Sequence, residues 1–138
     1  HINDIIKNMK YNNKIIDYQG EKFHSELEFG YFVELKRRKM AHDIKDFHRQ
    51  IKFDLESNGK KVGTYTIDFK IIHNDDTIEF VEVKGYPEEL WILKWNILLA
   101  MIKDDPGISF TIACNNNTKE KLKKKNGVFI HPTNWYIL

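Results

Sequence analysis

Residues 66–85 read TIDFKIIHNDDTIEFVEVKG, two strand-like segments that flank a polar turn. Residues 63–73 and 77–84 are rich in Thr, Tyr, Ile, Phe and Val, the residue types that strands favour. The Asn-Asp-Asp of residues 74–76 is typical of a turn. The stretch therefore predicts an antiparallel hairpin, with an aspartate in its first strand and a Glu-Val-Lys triplet in its second.

The loop of this hairpin decides whether its acidic side chains meet. Glu82 and Lys84 share a face because they are two residues apart in a strand. Residues directly opposite in an antiparallel pair also share a face. A two-residue loop would pair Asp68 with Val83 and separate the acids, whereas a three-residue loop or a bulge pairs Asp68 with Glu82 or Lys84. We therefore predict an odd-length loop or a bulge.

Asp68, Glu82 and Lys84 together suggest a metal-dependent hydrolytic site. Two close carboxylates repel each other unless a cation neutralises them, and oxygen ligands suit Mg²⁺, for which Mn²⁺ could substitute. Such a metal polarises a phosphoryl oxygen and generates hydroxide, and Lys84 could orient the water or stabilise charge on the phosphate. The alternative is plain polar–apolar alternation on a half-exposed strand. We expect metal-assisted phosphodiester hydrolysis.

The rest of the chain supplies further elements in a regular order. Residues 25–39 are typical of a helix, 50–56 of a strand, 87–103 of a buried helix and 108–114 of a strand. A short basic helix over 118–125 and a strand over 128–131 follow. The order is α-β-β-β-α-β with a small αβ tail. It predicts the α/β class, with helices packed on a central mixed sheet.

Glu28 has two possible roles. With Ser25 it forms an S-x-x-E capping box at the start of the first helix, which is a purely structural function. It could instead be a third carboxylate that reaches the metal from the helix, and Glu26 and Glu34 compete for that role. The residues alone favour the cap.

Composition limits the class of protein. The chain has 138 residues, 41% of them hydrophobic, which fits a single folded domain over residues 21–138. We expect residues 1–20 to form a polar arm with a short helix over 2–9. No apolar stretch approaches the roughly 20 residues that span a bilayer. The single Cys114 excludes an intrachain disulfide, so we expect a cytoplasmic location.

The element order and the motif resemble the PD-(D/E)XK nuclease superfamily, which implies a restriction-endonuclease-like α-β-β-β-α-β core. Asp68 and the Glu82-Val83-Lys84 triplet match its motif, although Ile67 replaces the usual proline before the aspartate. The resemblance implies that Asp68, Glu82 and Lys84 are catalytic and that the two acids bind the metal.

Residues 10–112 also resemble a family of small phage-encoded proteins of this superfamily. The matching segments read KYNNK at 10–14, GEKFHSELE at 20–28 and ELK at 34–36, followed by Gln50, Tyr65 and Lys94. Residues 25–84 are similar to the endonuclease subunit of heteromeric transposases. Both resemblances nominate Glu28 as a catalytic metal ligand on the helix. Gln50 could line the site or be an ordinary exposed glutamine, and Lys94 could reach a phosphate or extend to solvent.

Two basic runs are candidate DNA contacts, although a solvated lysine-rich face is the commoner explanation for a lone run of charges. They comprise Lys36, Arg37 and Arg38 in the first helix and Lys119, Lys121, Lys123, Lys124 and Lys125 near the C-terminus. Resemblance to phage resolvases implies a homodimer that cuts branched or recombining phage DNA, with possible phage replication or recombination partners. The alternatives are a non-catalytic DNA-binding or assembly module and a sequence-specific or partner-dependent endonuclease.

Overall fold

The computed structural model describes residues 15–102 and 104–138, so the helix expected over residues 2–9 lies outside the described part of the chain. The elements are β1 (Ile16–Tyr18), β2 (Glu21–Phe23), α1 (Glu26–Met40), β3 (Asp46–Ser57), β4 (Lys60–Ile72), β5 (Ile78–Val83), α2 (Glu89–Ile102), β6 (Ile108–Cys114), α3 (Asn116–Lys123) and β7 (Asn134–Ile137).

The main sheet has five strands in the order β3-β4-β5-β6-β7, and β1 and β2 form a separate small hairpin. The pairs β3–β4 and β4–β5 are antiparallel, whereas β5–β6 and β6–β7 are parallel. The return from β5 to a parallel β6 passes through α2, as parallel neighbours require a crossover. The predicted α/β class, the mixed sheet and the α-β-β-β-α-β order are therefore confirmed.

One helix covers each face of the sheet. On one face, Trp95 and Leu98 of α2 pack in a fully buried cluster with Phe110 of β6. On the other, Phe29 of α1 packs in a second cluster with Val81 of β5. β5 and β6 are buried on both faces over most of their length, as expected of strands covered by helices on both sides.

The side chains of β3 and β4 change sheet face halfway along both strands. In β4, Ile67 belongs to the cluster under α2, whereas Phe69 belongs to the cluster under α1. In β3, Ile51 packs on the α2 side, whereas Arg49 lies over an aromatic ring of the α1 cluster. Residues two apart in a regular strand share a face. The change coincides with Gln50, whose backbone adopts a left-handed φ of 55°.

Helix α2 is less buried than its composition predicts. Trp91, Trp95 and Leu98 face the sheet, but Leu90 and Leu93 are 61% and 56% exposed. The expectation of a buried helix is therefore met only in part, because α2 covers a single face of the sheet and nothing in the described chain covers its outer side. None of the helices within the described ranges is long and apolar enough to cross a membrane.

The final strand lies further along the chain than its sequence predicts. Residues 128–131 do not join the sheet, and β7 instead pairs with β6. Side chains of α2 satisfy the backbone of the predicted strand: Trp95 Nε1 donates to the Ile130 carbonyl at 2.8 Å, and Asn96 Nδ2 donates to the Val128 carbonyl at 2.9 Å. Extended backbone whose polar groups bond to a helix need not pair with a strand.

Candidate active site

The β4–β5 hairpin has the odd-length loop that its acidic residues require. Residues 73–77 connect the strands, and the backbone N–H of His73 donates to the Thr77 carbonyl at 2.9 Å. Asp76 takes a left-handed φ of 68°, as in three-residue hairpin loops. The last paired residues are Phe69 and Val81, so the same register places Asp68 opposite Glu82. The prediction of an odd loop is confirmed.

A cleft of about 470 Å³ opens where β4 and β5 separate beyond this last pair. Its lining includes the predicted set of Glu28, Gln50, Asp68, Glu82 and Lys84. Gln50 lies opposite Asp68, because the pairs on either side of it keep one register. Gln50, Asp68 and Glu82 thus form a row across three adjacent strands, and α1 supplies Glu28 from the side.

Asp68 is half-buried, and its Oδ2 accepts a hydrogen bond from the Val83 backbone N–H at 2.8 Å. Burial raises the pKa of the Asp68 carboxyl well above its usual range, and the nearby Glu82 and Glu28 raise it further. Without a cation, the site therefore disfavours the charge on Asp68. A bound divalent cation would remove this penalty.

A buried hydrogen-bonded chain holds Glu82, which is 4% exposed. Tyr65 donates its hydroxyl proton to Glu82 Oε1 at 2.8 Å, and Trp91 Nε1 donates to the Tyr65 hydroxyl at 2.9 Å. Burial and Glu82 raise the pKa of Tyr65 well above its usual value, so the hydroxyl keeps its proton. Burial also raises the pKa of Glu82, and Lys84 opposes this effect. These three residues come from β4, β5 and α2, so sequence spacing could not reveal their contact.

Lys84 projects into the same cleft, with its side chain 19% exposed. Its Nζ lies 3.2 Å from Glu82 Oε2 and 4.7 Å from the ring centroid of Trp91. Glu82 is therefore held at one oxygen by Tyr65 and at the other by Lys84. The ammonium group is fixed by two partners at a point where it can meet a phosphate oxygen.

Glu28 combines a cap position with a place in the cleft. Its backbone N–H donates to Ser25 Oγ at 3.1 Å, which is the first half of a capping box. Its carboxylate Oε1 accepts hydrogen bonds from Arg49 Nη2 and Gln50 Nε2, both at 2.9 Å. The carboxylate is thus directed toward the cleft, and cap and site roles use different atoms of Glu28.

The two competing helix acids do not line the cleft. Glu26 and Glu34 border a separate cavity beside the C-terminal strand. Glu34 also pairs with Arg37 at 2.7 Å and with Arg38 at 3.1 Å. Glu28 is therefore the acid that α1 presents to Asp68 and Glu82.

Arg49 belongs to the site but has no role in the sequence analysis. Its side chain is 11% exposed, its guanidinium carbon lies 3.6 Å from the ring centroid of Phe23, and its Nη2 donates to the Lys22 carbonyl at 3.0 Å. It neutralises the buried charge of Glu28. Regular alternation gives no signal of this role, because it would place Arg49 on the same face as Ile51, whereas the structure places the two on opposite faces.

Asp68 and Glu82 have the donor chemistry that Mg²⁺ prefers. Within residues 15–102 and 104–138, no group of three His, Cys, Asp or Glu side chains is arranged to hold a metal as it stands. The reason is visible at Glu28, whose Oε1 is shared by Arg49 and Gln50. The acids fit a divalent cation by type and by their mutual repulsion, and Glu28 Oε1 would have to release Arg49 and Gln50 before that oxygen could serve as a ligand.

The two basic runs differ in their relation to the cleft. Helix α1 places Glu28 at the cleft, so Arg38 lies about 15 Å further along the axis at 1.5 Å per residue. Arg37 and Arg38 pair with Glu34, and Lys36 lies over the rings of Tyr18 and Phe32. In the C-terminal run, Lys121 and Lys125 line a cavity that shares Tyr86 with the cleft.

Other members of the predicted set lie further away. Lys119 Nζ lies 5.8 Å from the ring centroid of Trp135, and Lys123 and Lys124 are exposed. Lys94 is not among the residues that line the cleft. It lies on α2 well beyond Glu88, the cleft residue that precedes the helix, and is only half-buried.

Comparisons with known proteins add a family and two distant structures. Residues 8–105 match a family model described as "Protein of unknown function (DUF1064)", and no curated protein matches the chain. A repair endonuclease from Pyrococcus abyssi is similar at 13% identity over 89% of this chain and 49% of its own, with a TM-score of 0.39. An EndoMS–dsDNA2 complex is similar at 15% identity over 94% and 48%, with a TM-score of 0.38. This chain spans about half the length of both.

Proposed function

The chain belongs to the DUF1064 family, and from that premise we propose that it is a divalent-metal-dependent DNA endonuclease that hydrolyses phosphodiester bonds. The observation that carries the proposal is the cleft in which Glu28, Asp68, Glu82 and Lys84 converge. Four charged side chains from one helix and two strands meet at the point where the sheet opens. Burial, and then the nearby Glu82 and Glu28, raise the pKa of Asp68, and a buried cluster of acids of this kind in a cleft is typical of functional sites.

In this proposal, Asp68 and Glu82 hold Mg²⁺ or Mn²⁺, and Glu28 completes the set of acids. The metal, when bound, would polarise the phosphate and lower the pKa of its water. Tyr65 fixes the orientation of Glu82, and Lys84 stabilises the charge that develops on the phosphate. This is the residue set of the PD-(D/E)XK superfamily, to which we assign the chain.

We further propose branched or recombining phage DNA as the substrate and a homodimer as the active form, since each site cuts one strand. The proposed setting is the cytoplasm of the phage host.

The direct test is cleavage of labelled four-way junction, flap and linear duplex DNA in Mg²⁺ by the wild type and Lys84→Ala. We expect metal-dependent cutting that is fastest on the branched substrates and falls about 100-fold or more in the variant. Lys60→Ala, a change of an exposed lysine at the start of β4, is the matched control and should cut at the wild-type rate.

A second candidate, a DNA-binding module that does not cut, is favoured by the engagement of Glu28 with Arg49 and Gln50. It predicts DNA binding without cleavage on every substrate and no specific site in a Mn²⁺ titration. That combination of results would overturn the endonuclease proposal.

Tyr65→Phe tests the metal role of Glu82 without an activity assay. The change removes the proton donor to Glu82 Oε1 and leaves the buried Trp91 N–H without its acceptor. Because the partners that orient metal ligands contribute about 10–100-fold to affinity, we expect Mn²⁺ to bind about tenfold or more weakly in calorimetry. Tyr18→Phe removes an equivalent hydroxyl outside the cleft and should bind Mn²⁺ as the wild type does. Equal Mn²⁺ affinity in all three proteins would contradict a metal role for Glu82.

A further inference from the structure

The loop that follows β5 joins the cleft to a second concave surface. Tyr86 lines the cleft and also a neighbouring cavity of about 400 Å³, together with Lys121 and Lys125. The two cavities therefore adjoin at Tyr86. A polymer with one segment in the cleft would pass across this residue to reach the adjoining cavity.

The position of the basic helix beside this loop is fixed by a buried hydrogen bond. Thr118, which is 4% exposed, donates from its hydroxyl to the Gly85 carbonyl at 2.6 Å. Lys121 follows one turn later, and Leu122 is buried in the core. The N-terminal turn of α3 is thus anchored directly to the chain between Lys84 and Tyr86.

Tyr86 is an exposed aromatic ring backed by a cation. The residue is 72% exposed, and Lys121 Nζ lies over the ring at 5.9 Å from its centroid. An aromatic ring this exposed at the edge of a polar cleft offers apolar surface that a ligand can cover. Lys125 adds a second positive charge nearby, although it is paired with Glu89.

We propose that Tyr86 is a stacking platform for an unpaired base of the DNA strand held in the cleft, with Lys121 contacting the adjoining phosphate. A base within a duplex has neighbours on both faces, whereas an unpaired base offers a face to an aromatic ring. The surface therefore selects single-stranded or frayed DNA next to the cleavage point. This inference rests on the proposed endonuclease function and specifies its substrate class.

The test measures binding without cleavage, by fluorescence anisotropy of labelled oligonucleotides in EDTA. Tyr86→Ala should bind a single strand about tenfold more weakly than the wild type, which is the expected loss of one stacked base, and should bind duplex nearly as well as before. Tyr86→Phe keeps the ring and should retain most of the single-strand affinity. Val62→Ala, at a 57% exposed apolar residue of β4, is the control and should change neither affinity.

Lys121→Ala separates charge from stacking. It should weaken single-strand and duplex binding alike and reduce the salt dependence by about one phosphate contact. Unchanged single-strand affinity in Tyr86→Ala, or equal losses on both DNA forms, would overturn the stacking role while leaving the endonuclease proposal intact. If the wild type binds no DNA at all, both proposals fail. Circular dichroism of each variant shows whether the fold is retained.

Discussion

Asp68→Asn is expected to abolish metal-dependent cleavage and, at the same time, to make the metal-free protein more stable. The amide has nearly the same shape and can still accept a hydrogen bond from the Val83 N–H, but it is a poor metal ligand. Residues that only orient the metal ligands already contribute about 10–100-fold to metal affinity or activity. Loss of a ligand itself should therefore reduce the cleavage rate by more than about 100-fold.

The gain in stability follows from the pKa of Asp68, which burial and the nearby Glu82 and Glu28 raise well above its usual value. A raised carboxyl pKa means that the folded state binds a proton that the unfolded chain has released. Its stability contribution is therefore complete below the unfolded pKa of about 3.9 and is lost as pH rises through the higher folded pKa. Near neutral pH the unfolded chain has an ionised Asp68 whose charge the metal-free fold disfavours, so this carboxyl destabilises the fold and Asn removes that cost.

Thermal unfolding in EDTA between pH 5 and 8 measures this effect. The wild type should lose stability as pH rises over this range, with the buried Glu82 acting in the same direction. The plot of Tm against pH should be flatter for Asp68→Asn than for the wild type and should lie higher at pH 8. In a domain of this size, each kcal/mol of stabilisation raises Tm by about 3 °C. Asp54→Asn changes an exposed acid on β3 and serves as the control. A variant that is less stable than the wild type at pH 8, or that still cuts DNA, would contradict this account.

Trp95→Ala should cause the largest loss of folding free energy in the described chain. Trp95 is fully buried, its ring contacts those of Trp91 and Phe110, and its Nε1 donates to the Ile130 carbonyl. Truncation of a buried tryptophan to alanine costs about 3–5 kcal/mol through lost transfer energy and the remaining cavity. Domains of this size have about 5–15 kcal/mol of stability, so the variant should be close to unfolding.

Urea denaturation followed by far-UV circular dichroism measures the loss in Trp95→Ala. Trp95→Phe keeps most of the buried ring and loses the N–H bond to Ile130, so its cost should be clearly smaller. Leu93→Ala, at a 56% exposed position on the same helix, should change the free energy of unfolding by less than about 0.5 kcal/mol. Similar unfolding midpoints for Trp95→Ala and Leu93→Ala would show that α2 does not stabilise the fold through this face.

Local sequence patterns predicted helices and strands well where a single local rule, such as a helix cap or a strand-like composition, was sufficient. Ile108–Cys114 matches its predicted bounds, and Ser25 caps α1 as its spacing with Glu28 indicates. The last strand was misplaced because residues 128–131 have strand-like composition but satisfy their backbone through Trp95 and Asn96 of α2. That contact joins segments more than thirty residues apart, so local composition could not indicate it.

The residues of the candidate site also fall into two groups, those that local sequence patterns bring together and those that only packing brings together. Asp68, Glu82 and Lys84 lie in one hairpin, so residue alternation and loop length suffice to bring them together. Arg49 and Tyr65 act through partners on other elements, at Glu28 and Glu82 respectively. Their roles depend on how the helices and strands pack, and no spacing along the chain encodes that packing.

Local sequence patterns were enough to predict the α-β-β-β-α-β order, the central hairpin and an odd-length loop or bulge that pairs Asp68 with Glu82 or Lys84. These features depend on periodicity and turn length, which are local properties of the chain. Only the tertiary structure decided that β3 and β4 change face at Gln50 and Asp68, which directs Arg49 toward Glu28. A left-handed non-glycine residue within a strand is strained and persists only where the surrounding structure holds it, and long-range packing of that kind is not encoded in local spacing.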